Sequence, residues 1–253
     1  MPKKILIVSY TFPPTHGIGG RRWAKFAKYL SRLGYDINVL CSENTSKEES
    51  VWTKDTEGLK ITTLPFNFPL SVAYPVKKLT GKIKYRLNVQ RLKLIDKGNY
   101  FDRTVFWEKQ VQEKVSELIN KNKIDCVIVT SGPFRLALHV IKLKKKFPKV
   151  KFIADFRDLW TEDVEITSFS KLSPRRKEVE KGFEKETARL VDKIITVADE
   201  LNNYFSSLTI ANKFVVIPNG YDPDDFKNVP ILPEIKDDKI RFVFTGTLYI
   251  TLD

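Results

Sequence analysis

Short apolar runs recur along this chain, each closed by polar or turn-forming residues, and the apolar positions between them follow helical spacing. The first run, "KKILIVSY" (3–10), passes into Thr-Phe-Pro-Pro, the profile of a buried parallel strand ending in a loop. Trp23, Phe26, Ala27, Leu30 and Leu33 then fall at i, i+3, i+4, i+7 and i+10, so one helix face is apolar, with Gly34 as its stop. "DINVLCSEN" (36–44) and "LKITTLPF" (59–66) read as the next strands. A helix over 104–120 places Trp107, Val111, Val115 and Leu118 on one side. "DCVIVTSGP" (125–133) is a strand, 134–148 a helix, and "KFIADFRD" (151–158) a strand. Residues 173–191 open with a Ser cap and Pro at the first helical position. Residues 193–208 and "KFVVIPNGYD" (213–222) supply two more strands with a helix between them.

Strands alternating with helices predict an α/β fold with a Rossmann-like, doubly wound, mostly parallel sheet. Such sheets bind ligands at the carboxyl ends of their strands, near the switch in strand order. That rule selects the loops at 10–20, 130–135, 155–163 and 218–222. Region 65–100 reads as a basic insertion or lid, with 82–89 leaning to helix. "IRFVF" (240–244) starts a fresh strand and is followed by Thr-Gly-Thr, so the chain is expected to be the front part of something longer.

Composition narrows the surroundings. At 253 residues with 42% hydrophobic content the chain can bury a large core. No apolar run approaches the roughly 18 residues of a membrane span, and a cytoplasmic location is expected. Cys41 and Cys126 lack metal-ligand spacing and read as reduced, buried thiols. The formal charge of +13 calls for an anionic partner. Over half of it comes from 71–95, where Lys77, Lys78, Lys82, Lys84, Arg86, Arg91 and Lys93 occur without one acidic residue, interleaved with Tyr and aliphatic side chains. Docking on an anionic membrane face is expected of this segment, with nucleic acid as the rival partner. No nucleic-acid motif accompanies the charge.

Two phosphate fingerprints are missing. Gly17, Gly19 and Gly20 lie several residues beyond the first strand and do not make G-x-G-x-x-G, although Glu43 stands near the position of a ribose-binding acid. No Walker Gly-Lys-Ser/Thr occurs. What remains is Gly19-Gly20 at a helix start with Arg21 and Arg22 behind it, a place where backbone N–H groups and charge approach an anionic or polyhydroxyl ligand. Asp155, Arg157 and Asp158 cluster at a strand's carboxyl end. An arginine there offsets charge on a leaving phosphate, while an aspartate orients a sugar hydroxyl or acts as base. An intradomain ion pair is the plainer reading of the same cluster. His139, on an apolar helix, reads as packed; His16 has the better position for a ligand.

"SYTFPPTHGIGGRRWAKFAKYLSRLGYDINVL", "VTSGP", "IADFRDLW" and "VIPNGYDPDDF", in this order, resemble the N-terminal half of family 4 GT-B glycosyltransferases, in the bacterial subgroup with a D-F-R-D-x-W signature. "FVFTGTLY" resembles the opening strand of that family's C-terminal half. The resemblance implies an acceptor-side domain over 1–222, a hinge over 223–238, and over 239–253 the first strand of a donor-binding domain. It implies transfer of a sugar from a nucleotide-sugar donor to a glycan or lipid-linked acceptor in cell-surface polysaccharide synthesis, with retention and without a metal or other cofactor. Asp155, Arg157 and Asp158 are the implied catalytic group. His16, Gly19, Gly20, Arg21, Arg22, Ser131, Asn219 and Gly246 are the implied substrate contacts. A dinucleotide-dependent enzyme and a basic nucleic-acid-binding module are the alternatives. On this reading the chain is inactive alone, Gly20→Val abolishes transfer with little change in melting temperature, and alanine at Arg21 or Arg22 weakens binding of an anion.

Overall fold

The computed structural model describes residues 3–45, 49–161, 167–209, 213–230 and 239–245. It divides into two compact units, Met1–Gly220 and Tyr221–Asp253. The first contains seven strands: β1 (Lys4–Val8), β2 (Asp36–Ser42), β3 (Lys60–Leu64), β4 (Cys126–Thr130), β5 (Lys151–Phe156), β6 (Lys193–Thr196) and β7 (Phe214–Val216). All pair in parallel, in the order β3-β2-β1-β4-β5-β6-β7. The expected doubly wound sheet is therefore present, and its strand order reverses between β1 and β4.

Alternation along the strands explains why both faces are covered. Ile5 and Ile7 of β1 face one layer, where helix α1 (Arg21–Arg32) packs Trp23, Ala24 and Ala27 against them. Leu6 and Val8 face the other, against Trp107, Val111 of α4 (Glu108–Asn122) and Leu136 of α5 (Arg135–Ile141). Short α2 (Leu70–Ala73) and long α3 (Leu79–Ile95) form a separate cluster around Phe68, Leu92 and Tyr100. The remaining helices are α6 (Pro174–Leu190) and α7 (Asp199–Ser207).

Some boundaries move. The helix expected from 104 begins at Glu108, because Asp102 accepts the Thr104 N–H (2.8 Å) and Thr104 O accepts from Trp107 N (2.8 Å), winding 102–107 into turns. The helix expected over 134–148 is α5 followed by a 3-10 turn at Lys142–Lys145. Residues 82–89 lie inside α3. Cys41 is buried and Cys126 half-buried, both as free thiols. Burial pushes them up to about 12 and about 11, with Asp192 and Asp125 adding to the shift at Cys126.

In the second unit, Asp222 caps a 3-10 turn at Pro223–Phe226 by accepting from Asp224 N (2.9 Å). Residues 240–244, expected as a strand, do not take strand conformation, and Phe242 and Val243 are exposed. Among the described residues no helix is long and apolar enough to cross a membrane.

Candidate functional site

The loops that leave the carboxyl ends of the strands divide into two regions. In the first, at the ends of β4 to β7, Asp155 is fully buried and accepts hydrogen bonds from Trp23 Nε1 (2.7 Å), Arg22 Nη2 (3.2 Å) and Thr130 Oγ1 (3.3 Å). Arg22 is buried too, stacked on Phe26 at 4.6 Å, and donates to Ile217 O (2.8 Å), Pro218 O (3.1 Å) and Asn219 Oδ1 (3.0 Å). Arg157 donates to Gly19 O and to Ser131 O, both at 3.0 Å. Ser131 N in turn donates to Asp155 O (2.9 Å).

Six of the expected site residues thus meet in one network: Asp155, Arg157, Arg22, Gly19, Ser131 and Asn219. Their polar groups are directed at one another: the ion pair is Arg22–Asp155, and Arg157 is held by backbone carbonyls and not by either aspartate of the motif. The others are placed separately. Asp158 is exposed, and Arg21 lies over the Trp52 ring at 5.6 Å. His16 is exposed and lines a cavity described below. Gly246 lies outside the described residues.

Gly20 requires a correction. A Cβ there would lie 3.1 Å from both Phe12 Cα and Thr11 O, so the backbone of the first loop sits where a side chain would go. The glycine is a packing device, and Gly20→Val is expected to destabilise the domain instead of leaving its melting temperature unchanged. Gly19 has room, with Thr11 Cβ at 3.8 Å. Gly132 adopts φ +89°, a left-handed conformation that admits glycine readily, at the turn below Arg157.

The second region lies at the switch between β1 and β4, where doubly wound sheets open a crevice. Two cavities of about 190 and 310 Å³ meet there and share Tyr10, Thr11 and Arg103. Ser42, Glu43, Phe66 and Tyr74 extend the smaller one; Asn99, Asp102, Gly132 and Phe134 extend the larger. Tyr10 packs against Trp107 with ring centres 4.8 Å apart. The buried hydroxyl oxygens of Tyr10 and Thr15 have no hydrogen-bond partner of normal geometry among the described residues. Burial raises the Tyr10 phenol above its ordinary value, with Arg103 and the nearby Ser42 hydroxyl acting against the shift. Unsatisfied hydroxyls between aromatic walls suit a polyhydroxyl ligand, and Arg103 adds a cation.

The loop that carries Asn99, Asp102 and Arg103 is held from below. Arg135 is buried between Asp96 and Glu180. Burial opposes its charge, but Glu180 and Asp96 outweigh that and keep the guanidinium protonated. Glu180 also accepts from Asn99 N (2.6 Å) and from Trp160 Nε1 (2.7 Å), so the tryptophan of "DFRDLW" anchors this support. Arg103 Nη2 donates to Ala73 O (2.9 Å), and its guanidinium lies 5.6 Å from the Tyr74 ring. His139 is packed as expected, with Nε2 3.1 Å from Thr104 O, and burial lowers its pKa. Sequence reasoning missed Tyr10, Thr15, Phe66, Tyr74, Asp102 and Arg103. Position alone signalled Tyr10, two residues past the end of β1; nothing in the spacing signalled Arg103.

Residues 19–225 match the model of the family described as Glycosyltransferase Family 4. No curated protein sequence matches the chain significantly. Among solved structures it is similar to a glycosyltransferase from Rickettsia africae ESF-5, at 17% identity and TM-score 0.48, over 92% of this chain and 47% of that one. It is also similar to a UDP-glucose: anthocyanidin 3-O-glucosyltransferase in complex with UDP, at 10% identity and TM-score 0.49, over 94% of this chain and 56% of that one. The N-terminal domain of Candida albicans trehalose-6-phosphate phosphatase matches at 12% identity and TM-score 0.48, over 89% and 50%. The chain spans about half the length of these solved chains.

Proposed function

The chain belongs to Glycosyltransferase Family 4, and on that footing we propose that it forms the acceptor side of an enzyme moving a sugar from a nucleotide-sugar donor to a glycan or lipid-linked acceptor in cell-surface polysaccharide synthesis. One observation carries the reading: a cleft at the β1/β4 switch point, walled by aromatic rings, into which the Tyr10 and Thr15 hydroxyls bring unused hydrogen-bonding capacity. A sugar ring stacks on such walls through its C–H face and meets such hydroxyls with its own. Asp158, the exposed carboxylate of "DFRD", orients the acceptor hydroxyl, while Asp155, Arg22 and Arg157 position the surrounding loops. Transfer proceeds with retention and without a metal, and needs a donor-binding domain, so these residues alone do not turn donor over. The test is nucleotide release from UDP-, GDP- and dTDP-sugars with free and lipid-linked glycans, with and without a donor-binding domain following the chain. Acceptor-dependent release only in the complete arrangement is expected; NAD(P)H binding with no response to any nucleotide sugar would sink the reading.

A second observation favours a membrane-facing acceptor. At about 100° per residue, Leu79, Ile83, Leu87 and Leu94 of α3 fall within about 80° of arc. They are 74%, 52%, 68% and 88% exposed. Lys82, Arg86 and Lys93 flank this stripe on one side, Lys84 and Arg91 on the other, while Val89 and Leu92 hold the opposite face in the protein. An apolar stripe between two rows of cations is the geometry of a helix lying in the headgroup layer of an anionic bilayer. Docking there places the protein peripherally on the cytoplasmic membrane face. Each cation is worth at most about 1 kcal/mol at such a surface, and salt screens it. Vesicle binding that falls steeply with ionic strength and requires anionic lipid is expected; equal binding to neutral vesicles overturns this placement.

A further inference from the structure

A third cavity, of about 440 Å³, lies between α2 and α3. Lys84, Asn88 and Arg91 are spaced i, i+4 and i+7 and so line one side of it. Phe66, Phe68 and Phe106 supply apolar wall. Asn88 Nδ2 donates to Ser71 Oγ (2.9 Å), which fixes the amide between the two cations. No carboxylate lines the cavity among the described residues, and neither Lys84 nor Arg91 has an ion pair there. Two unneutralised cations do not suit an apolar ligand, and phenylalanine walls do not suit a small hydrated anion. The combination fits an amphiphile with a phosphate or diphosphate head.

Its location specifies the amphiphile further. Phe66 lines both this cavity and the cleft that holds Tyr10 and Arg103. On the helix, Lys84 and Arg91 border the exposed apolar stripe. A phosphate seated here stands between a lipid tail on the stripe side and a saccharide in the β1/β4 cleft. We infer that the cavity bounded by Lys84, Asn88 and Arg91 is the subsite for the phosphate or diphosphate that joins an acceptor saccharide to its lipid. This rests on the lipid-linked acceptor proposed above and names the group by which that acceptor is held.

The test measures binding by titration calorimetry, with farnesyl diphosphate below its aggregation concentration as probe and inorganic pyrophosphate and farnesol as its two halves. Farnesyl diphosphate should bind at least about tenfold tighter than either half, and the Lys84→Ala/Arg91→Ala double variant should weaken it by at least about tenfold, since each charge-assisted contact contributes on that order. Both side chains are exposed, so the melting temperature should not move. Pyrophosphate binding as tightly as the amphiphile, or unchanged affinity in the double variant, overturns the subsite. A second variant, Lys82→Ala/Arg86→Ala/Lys93→Ala, on the side of the stripe away from the cavity, separates the lipid-headgroup source: it should lose anionic vesicles and keep farnesyl diphosphate. Loss of both together would show that the cations serve the bilayer surface only, and would also overturn it. None of these measurements uses a nucleotide sugar, so failure here leaves the transferase reading standing, and a transferase failure leaves an amphiphile-phosphate site but removes its assignment to an acceptor.

Discussion

The two regions at the carboxyl edge of the sheet carry similar residue types and do opposite things with them. Around β5 and β7, the Asp155 carboxylate and the terminal nitrogens of Arg22 and Arg157 are turned inward onto protein partners, and only the Nε of each arginine is left over. Around β1 and β4, the buried hydroxyl oxygens of Tyr10 and of half-buried Thr15 have no partner of normal geometry among the described residues, beside Arg103. A buried polar group that is satisfied holds a loop in place; one that is unsatisfied costs free energy unless a ligand completes it. The closed region therefore supports, and the open region binds, although the charged motif that stands out in the sequence belongs largely to the closed one.

The sharpest way to break this contrast is to remove a partner from the closed region. Arg22→Ala leaves the Asp155 carboxylate fully buried without its ion pair, a change that typically costs about 3–5 kcal/mol. Urea denaturation should show the loss directly. A variant of unchanged stability with weakened anion binding would return Arg22 to the ligand. Gly20→Val comes next: its side chain meets the backbone of Thr11 and Phe12, and overpacking of this kind costs about 1–3 kcal/mol. Gly19→Ala, with ordinary contact distances around it, should change the midpoint by less than about 1 kcal/mol.

These two pairs also show where legibility ended. All seven strands were readable: β1, β2, β4, β5 and β6 are short apolar runs buried on both faces, which have few other fates, and the part-exposed edge strands β3 and β7 are marked by β-branched residues between turns. Helix α6 was readable from Ser173-Pro174, although Ser173 makes no side-chain cap. The direction of individual charges was not readable. Arg21 and Arg22 are adjacent, yet a rotation of about 100° sends one over Trp52 and the other under β5. Asp155 and Asp158 bracket the end of β5, and whether each points in or out depends on where the chain leaves the sheet. Arg103 is placed by Asp96, Arg135 and Glu180, which are brought together only by tertiary packing.

A smaller change sharpens the contrast from the open side. Tyr10→Phe removes an oxygen that has no good partner, so stability should stay within about 1 kcal/mol of the parent. Acceptor KM in the complete enzyme should rise by about tenfold, the worth of one hydrogen bond in a desolvated cleft. A stability loss as large as that of Arg22→Ala, with acceptor kinetics untouched, would make Tyr10 part of the support and erase the distinction between the regions.

The smallest expected effect is one of pH, and it again separates the two regions. His139 lies beneath the open cleft, with Nε2 bonded to Thr104 O, next to Arg103. Burial lowers its pKa; Glu108, 3.9 Å from Nδ1, and Asp102 pull it back up, and Arg135 adds to the lowering. The unfolded chain therefore binds the proton more readily than the folded one. Stability contributed by the neutral ring is present above the unfolded value of about 6.5 and declines as pH falls from there toward the lowered folded value. Hydrogen exchange at 102–104 should accelerate over that interval, while amides of β5 stay protected. His139→Gln should flatten the pH slope whatever it does to absolute stability. Equal acceleration in β5 would mean that the histidine governs the whole domain, and that the open cleft has no local stability of its own.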